Sequence, residues 1–139
     1  LFSENDMIRR SFLRINLFPD TKYKIEITSQ RLVDPIMGNL KDLSLNGMGL
    51  ILLDKNDTNK FDLKETISIK IYTPSSILKI PMAFITRKDE QNSEIGVNYN
   101  IENRSMVKDE TSSFLMKIIY KWIQDIINKY GRLEESNKI

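Results

Sequence analysis

A chain of 139 residues suffices for one buried core and an added element. Its 40% apolar and 29% charged content is ordinary for a globular protein, and a net charge of +2 is too small for bulk binding to DNA or RNA. Cysteine and histidine are both absent, which removes disulfides, thiol nucleophiles, imidazole bases and the usual zinc or haem ligands. A non-enzymatic protein with no catalytic residue, metal site or resident cofactor is therefore expected.

No apolar run reaches the length of a membrane span and the N-terminus lacks a signal-peptide pattern, so a cytoplasmic location without a membrane span is expected. The first residue is Leu1 rather than Met, the expectation being a fragment excised from a longer protein.

Residues 1–7 are mixed polar and read as a lead-in or linker. Arg9, Arg10 and Arg14 follow, three guanidiniums within six positions. Residues 23–27 alternate strictly between apolar and polar, the pattern of a half-buried strand. Asp34-Pro35 and Gly38-Asn39 punctuate the next segment, whose apolar positions include Ile36, Met37, Leu40, Leu43 and Leu45. Asn46-Gly47 signals a turn, since both residues tolerate positive φ, and residues 49–53 read as a short buried strand. Residues 54–64 are expected to form a polar loop. Ile67, Ile69 and Ile71 alternate with Ser68, Lys70 and Tyr72 in a further strand, and residues 73–76 form a turn. Extended structure resumes over 77–86, where Pro81 marks an edge or bulged strand, and 95–101 is the last strand. Strands at this regular spacing predict a mainly β fold, a small antiparallel barrel.

From 109 to 130 there is neither Gly nor Pro, and the apolar residues shift to helical spacing. Phe114, Ile118, Trp122 and Ile126 form one row; Leu115, Ile119, Ile123, Ile127 and Tyr130 form the adjacent one. Asp109, Thr111 or Ser112 can cap the start and Gly131 the end, leaving a charged tail from Arg132. The expected division is lead-in 1–7, barrel 8–105, amphipathic helix 106–131 and polar tail 132–139. The polar face of the helix is not basic enough for a membrane-surface role, so its apolar stripe is expected to pack on the barrel, a second copy or a partner domain.

Two stretches carry chemistry. A guanidinium fork matches phosphate oxygens and the O6/N7 edge of guanine, and it stacks on purine rings. Asp42 and Ser44 are two apart, so on a strand they share one face while Leu43 and Leu45 point to the core. A carboxylate there can accept from the N1–H and N2–H₂ edge of guanine, and the hydroxyl can serve a phosphate or a base edge. Gly47 permits a tight turn or a close approach. Each stretch also has a plain reading, a solvated basic segment and an ordinary set of turn formers.

The arginine pair Arg10-x-x-x-Arg14 followed by Asp42-x-Ser44-x-x-Gly47 resembles the paired signature of PilZ domains, which bind the bacterial second messenger cyclic di-GMP. The likeness extends over roughly 8–101, through residues 80–87 and 95–99, with one departure: Tyr99 stands where Phe is more usual. The resemblance implies a six-stranded barrel followed by a helix. It also implies a ligand site made of Arg9, Arg10, Arg14, Asp42, Ser44 and Gly47. An arginine at position 9 goes, in that family, with an intercalated ligand dimer, implying two cyclic di-GMP molecules per domain. The implied mechanism is ordering of the arginine segment on binding, signalled to a neighbouring domain or a protein partner. The alternative is a structural barrel that binds no nucleotide and contacts proteins through its helix. Arg87, Asn98 and Arg104 are further residues that could join the site.

Overall fold

The computed structural model describes residues 14–99 and 110–137, with side chains described for 14–99 and 114–129. Arg9, Arg10, Arg104 and Asp109 lie outside the described residues, as do positions 100–101 of the expected last strand.

The strands are β1 (Ile15–Asn16), β2 (Lys24–Thr28), β3 (Ile36–Leu43), β4 (Gly47–Leu52), β5 (Thr66–Tyr72), β6 (Ile77–Asp89) and β7 (Glu94–Asn98). All pairings are antiparallel, and the order runs β3-β2-β5-β6-β7-β4 with β4 pairing back onto β3. Six strands therefore close into a barrel, which removes free sheet edges. β1 adds to β3 at Asp42 and Leu43, past the point where β2 pairs with it. Ile25, Ile27, Leu40, Leu50, Ile71, Ile80, Ile85 and Ile95 are fully buried, the alternating inward residues the period-two pattern marks. The β-branched isoleucines among them suit a pleated wall, and each fully buried aliphatic side chain contributes roughly 1.5–3 kcal/mol.

Three departures from regular pairing matter. Ile67 and Ile69 on β5 face Ala83 and Ile80 on β6, so β6 carries an extra residue beside Pro81. A closed barrel offers Pro81 no edge, and the bulge is how the strand accommodates a residue without an N–H. Ser68 Oγ donates to the Pro81 carbonyl at 2.8 Å in compensation. The other two bulges, on β3 and on the far half of β6, belong to the site described below.

The expected loop over 54–64 contains a short 3-10 helix, Lys55–Lys60. Asp54 caps it, its carboxylate accepting from the Asn56 N–H at 2.9 Å. Phe61 behind it is fully buried.

Helix α1 (Glu110–Asn137) packs against β6 and flanks β1. It runs through Gly131 rather than stopping there, correcting the expected C-cap and polar tail. One interior glycine raises the helix free energy by only about 1 kcal/mol, and strong helix formers follow it. The buried stripe is Met116, Ile119, Ile123, Ile126 and Ile127. Of the second expected row, Ile119, Ile123 and Ile127 face the barrel, as does Ile126 of the first, whereas Phe114 and Ile118 are exposed. Trp122 meets Tyr23 edge to face, with ring centroids 5.6 Å apart. Among the described residues, no helix is long and apolar enough to cross a membrane.

Candidate functional site

The second bulge sits at the aspartate. Leu40 pairs with Leu50, but Asp42 pairs with Gly49, so β3 holds one residue more than β4 across this step. The extra residue, Lys41, has its carbonyl turned to the incoming chain, where it accepts from the N–H groups of Leu17 (2.8 Å) and Phe18 (3.2 Å). The bulge thereby docks the segment that carries Arg14 beside Asp42.

Leu43 and its partner Met48 point into the core, and Asp42 and Gly49 point outward. Asp42 is nevertheless buried. Its Oδ1 accepts from Arg14 Nη1 at 2.5 Å and from the Gly49 N–H at 2.9 Å. A carboxylate removed from water needs such partners to remain charged. Arg14 is half exposed, so one edge of its guanidinium holds Asp42 while the rest faces outward. Gly49 is required here for space: a Cβ would stand 2.8 Å from Asp42 Oδ1.

The turn after β3 is closed by its own polar atoms. The Ser44 N–H donates to the Gly47 carbonyl (2.9 Å), and the Ser44 hydroxyl both donates to that carbonyl (3.1 Å) and accepts from the Gly47 N–H (3.2 Å). Neither Asn46 nor Gly47 has positive φ, contrary to the expected turn chemistry. Gly47 is needed for another reason. A Cβ on it would lie inside the carbonyl oxygen of Val97 on β7.

Tyr99 closes this loop from the other side. Its hydroxyl donates to the Ser44 carbonyl and lies 2.9 Å from the Gly47 carbonyl, and its N–H donates to the Asn46 carbonyl at 3.2 Å. Burial drives the phenol pKa up; the nearby Arg14 cation opposes the rise and the Asp42 carboxylate adds to it. Tyr99 thus lies within electrostatic reach of both signature side chains.

The third bulge is on β6. Ile85 pairs with Val97 but Arg87 pairs with Gly96, with Thr86 the extra residue. Asp42, Gly49, Gly96 and Arg87 are consequently successive partners across β3, β4, β7 and β6. Lys41 pairs with Glu94 at 2.9 Å, and Arg87 lies 3.9 Å from the same carboxylate oxygen.

Of the sequence-predicted site residues, Arg14, Asp42, Ser44 and Gly47 come together at one end of the β3–β4 hairpin; Arg9 and Arg10 fall outside the described residues. Gly49, Tyr99, Lys41 and Glu94 escaped sequence reasoning as site neighbours. The Gly47-x-Gly49 spacing was the available signal for one of them, and the Tyr99 departure for another. Among the described residues, no cluster of acidic side chains could hold a metal ion.

Comparison with known proteins agrees with this fold. No curated protein matches the sequence significantly. Among solved structures, the PilZ domain of YcgR from Escherichia coli with c-di-GMP superposes with a TM-score of 0.57 at 18% identity, covering 94% of this chain and 99% of that one. The PilZ domain of CeSA from a cellulose-synthesizing bacterium gives a TM-score of 0.53 at 15% identity, covering 81% and 98%. YcgR in complex with c-di-GMP gives 0.51 at 18% identity, and the match spans 90% of this chain but 50% of that longer one. The PilZ domain family matches residues 8–115, and with that match over most of its length this chain belongs to the PilZ domain family.

Proposed function

We propose that this domain is a receptor for cyclic di-GMP. The observation that carries the reading is the Arg14–Asp42 contact, with a half-exposed guanidinium held on a buried, outward-turned carboxylate at the foot of the Ser44–Gly47 turn. Family membership and the likeness to a PilZ domain of YcgR with c-di-GMP support it. Among the described residues, the bonds to Asp42 fall on Oδ1, so Oδ2 can accept from the N1–H and N2–H₂ edge of a guanine. The outer edge of Arg14 suits a phosphate or a guanine O6/N7 edge. Arg10 completes the pair in this reading, and Arg9 stacks on the guanine of a second ligand molecule.

Binding orders the arginine segment against the barrel and so alters how a neighbouring domain or partner docks. The barrel boundaries in this reading are those expected from the sequence, while the helix extends to Asn137, and the receptor unit spans the barrel and the start of the helix.

Isothermal titration with cyclic di-GMP, beside GTP and cyclic di-AMP, tests the proposal. Selective saturation at two ligands per chain is expected, and saturation at one would remove the role given to Arg9. A ligand at 100 times its dissociation constant adds about 2.7 kcal/mol of stability, so an unshifted melting curve in excess ligand would refute the receptor reading. That result would favour a protein-contact barrel, a reading supported by the exposure of Phe114 and Ile118 on α1.

A further inference from the structure

We infer that Arg87 is a ligand-contacting residue, and that the site extends from Asp42 across β4 and β7 to a second basic wall formed by Arg87 on β6 and by the ammonium of Lys41, which reaches from β3 to Glu94 on β7. This rests on the receptor reading above and extends its residue set to β6 and β7, which neither signature motif occupies.

The inference follows from register and charge. Asp42, Gly49, Gly96 and Arg87 are paired in succession, so all four occupy the outer face. Between the two charged residues the wall is bare backbone over two strands. Strand spacing puts the ends about 14 Å apart along the sheet, enough for a purine ring to lie flat between them. The side chains at both ends already lean over this floor. A Cβ on Gly49 would strike the Asp42 carboxylate at 2.8 Å, and a Cβ on Gly96 would sit 3.3 Å from both Cβ and Nε of Arg87.

The second wall is also poorly neutralised. Lys41 and Arg87 share Glu94, a largely buried carboxylate, and Arg87 reaches it only at 3.9 Å with half its side chain exposed. Both cations stand at β-bulges, which re-aim side chains off the regular alternation. Arg14 and Asp42 cancel at the other end. Asp89 also feels the Arg87 cation, but its carboxylate is tied to Asn92, so among the described residues the half-exposed Arg87 fork is held by no close ion pair and can turn. Such a fork stacks on a purine or takes a phosphate bidentately. Glu94 holds it meanwhile at the rim, in competition with the ligand.

The test is titration of cyclic di-GMP into wild type, Arg87→Ala, Arg87→Lys and Glu94→Gln, with the melting temperature of each recorded. Arg87 is half exposed, so its variants should melt close to wild type. Arg87→Ala is expected to bind about tenfold more weakly or worse, from the loss of one bidentate or stacked contact. Arg87→Lys should recover only part of that, because a point charge replaces a planar fork. Glu94→Gln should bind at least as tightly as wild type, since it releases both cations. Wild-type affinity in Arg87→Ala would overturn this inference alone and leave the receptor reading standing. Absence of binding in the wild-type protein would overturn both.

Discussion

Tyr99→Phe isolates one oxygen atom. The ring remains in its buried place, and only the hydroxyl that bridges the Ser44 and Gly47 carbonyls is removed. The Gly47 carbonyl still accepts from the Ser44 N–H and hydroxyl, so its loss is minor. The Ser44 carbonyl is left buried with a main partner gone, and an orphaned buried acceptor costs about 1–3 kcal/mol. For a chain of 139 residues, about 2 kcal/mol corresponds to a fall in Tm of roughly 6 °C. A second signature is specific to the phenol. Its folded pKa is raised above the ordinary 10.0, so the folded state retains a proton that the unfolded state releases. Stability from this group is therefore intact below pH 10 and lost as pH rises beyond it, at a rate approaching about 1.4 kcal/mol per pH unit. Urea unfolding at pH 7, 10 and 11 measures both. Wild type should lose about 1 kcal/mol more than Tyr99→Phe between pH 10 and 11, since the unfolded phenol is already half ionised at pH 10. If the two proteins are equally stable at pH 7 and fall in parallel at alkaline pH, the hydroxyl does not hold the turn as described.

Gly47→Ala and Gly49→Ala should separate in a denaturant melt. The first forces β4 away from the β7 backbone and should cost about 3 kcal/mol or more, whereas the second meets only the movable Asp42 carboxylate and should cost about half as much while weakening the Arg14 contact. Arg14→Ala should lower stability by no more than about 1 kcal/mol because the arginine is half exposed, yet abolish ligand binding by calorimetry. Asp42→Ala should cost more than Arg14→Ala, about 2 kcal/mol, since it also strands the buried Gly49 N–H, and a double-mutant cycle should show the pair coupled. On the helix, Ile123→Ala should cost about 2–5 kcal/mol and Phe114→Ala within about 0.5 kcal/mol, a contrast that equilibrium unfolding would expose.

Much of the barrel was legible because its strands alternate. Ile25 and Ile27, Ile67 through Ile71, and Ile95 with Val97 all declare an inner face by period two, and the structure buries them. The helix was equally legible in kind, but its end was not. Glycine is a strong stop signal only when the chain beyond it has reason to leave the helix, and the residues after Gly131 have none. Which of two adjacent apolar rows faces the barrel was ambiguous for a related reason. Two rows about 100° wide overlap on the helix surface, and only the position of β6 chooses between Ile119 and Ile118.

The site divides along a different line. Asp42, Ser44 and Gly47 are local, six positions end to end, and spacing alone proposes a shared face. Arg14, Tyr99, Arg87 and Glu94 reach them only through pairings set by the closed sheet, 28 residues away for Arg14 and 55 for the Tyr99 bond to Ser44. Bulges hide this part of the pattern. A regular β3 would alternate Leu40, Lys41, Asp42 and Leu43 in and out; the extra residue at Lys41 instead lets Asp42 stay outward and covered while Leu43 remains inside. A regular β6 would likewise not bring Arg87 opposite Gly96. Irregular pairing lowers ladder stability, so its recurrence at the two ends of the Asp42–Arg87 row is a reason to seek function in that row. The bulge at Pro81 has a local cause in the missing N–H, and no such cause exists at Lys41 or Thr86. Those two bulges carry the strongest physical case for where a ligand lies.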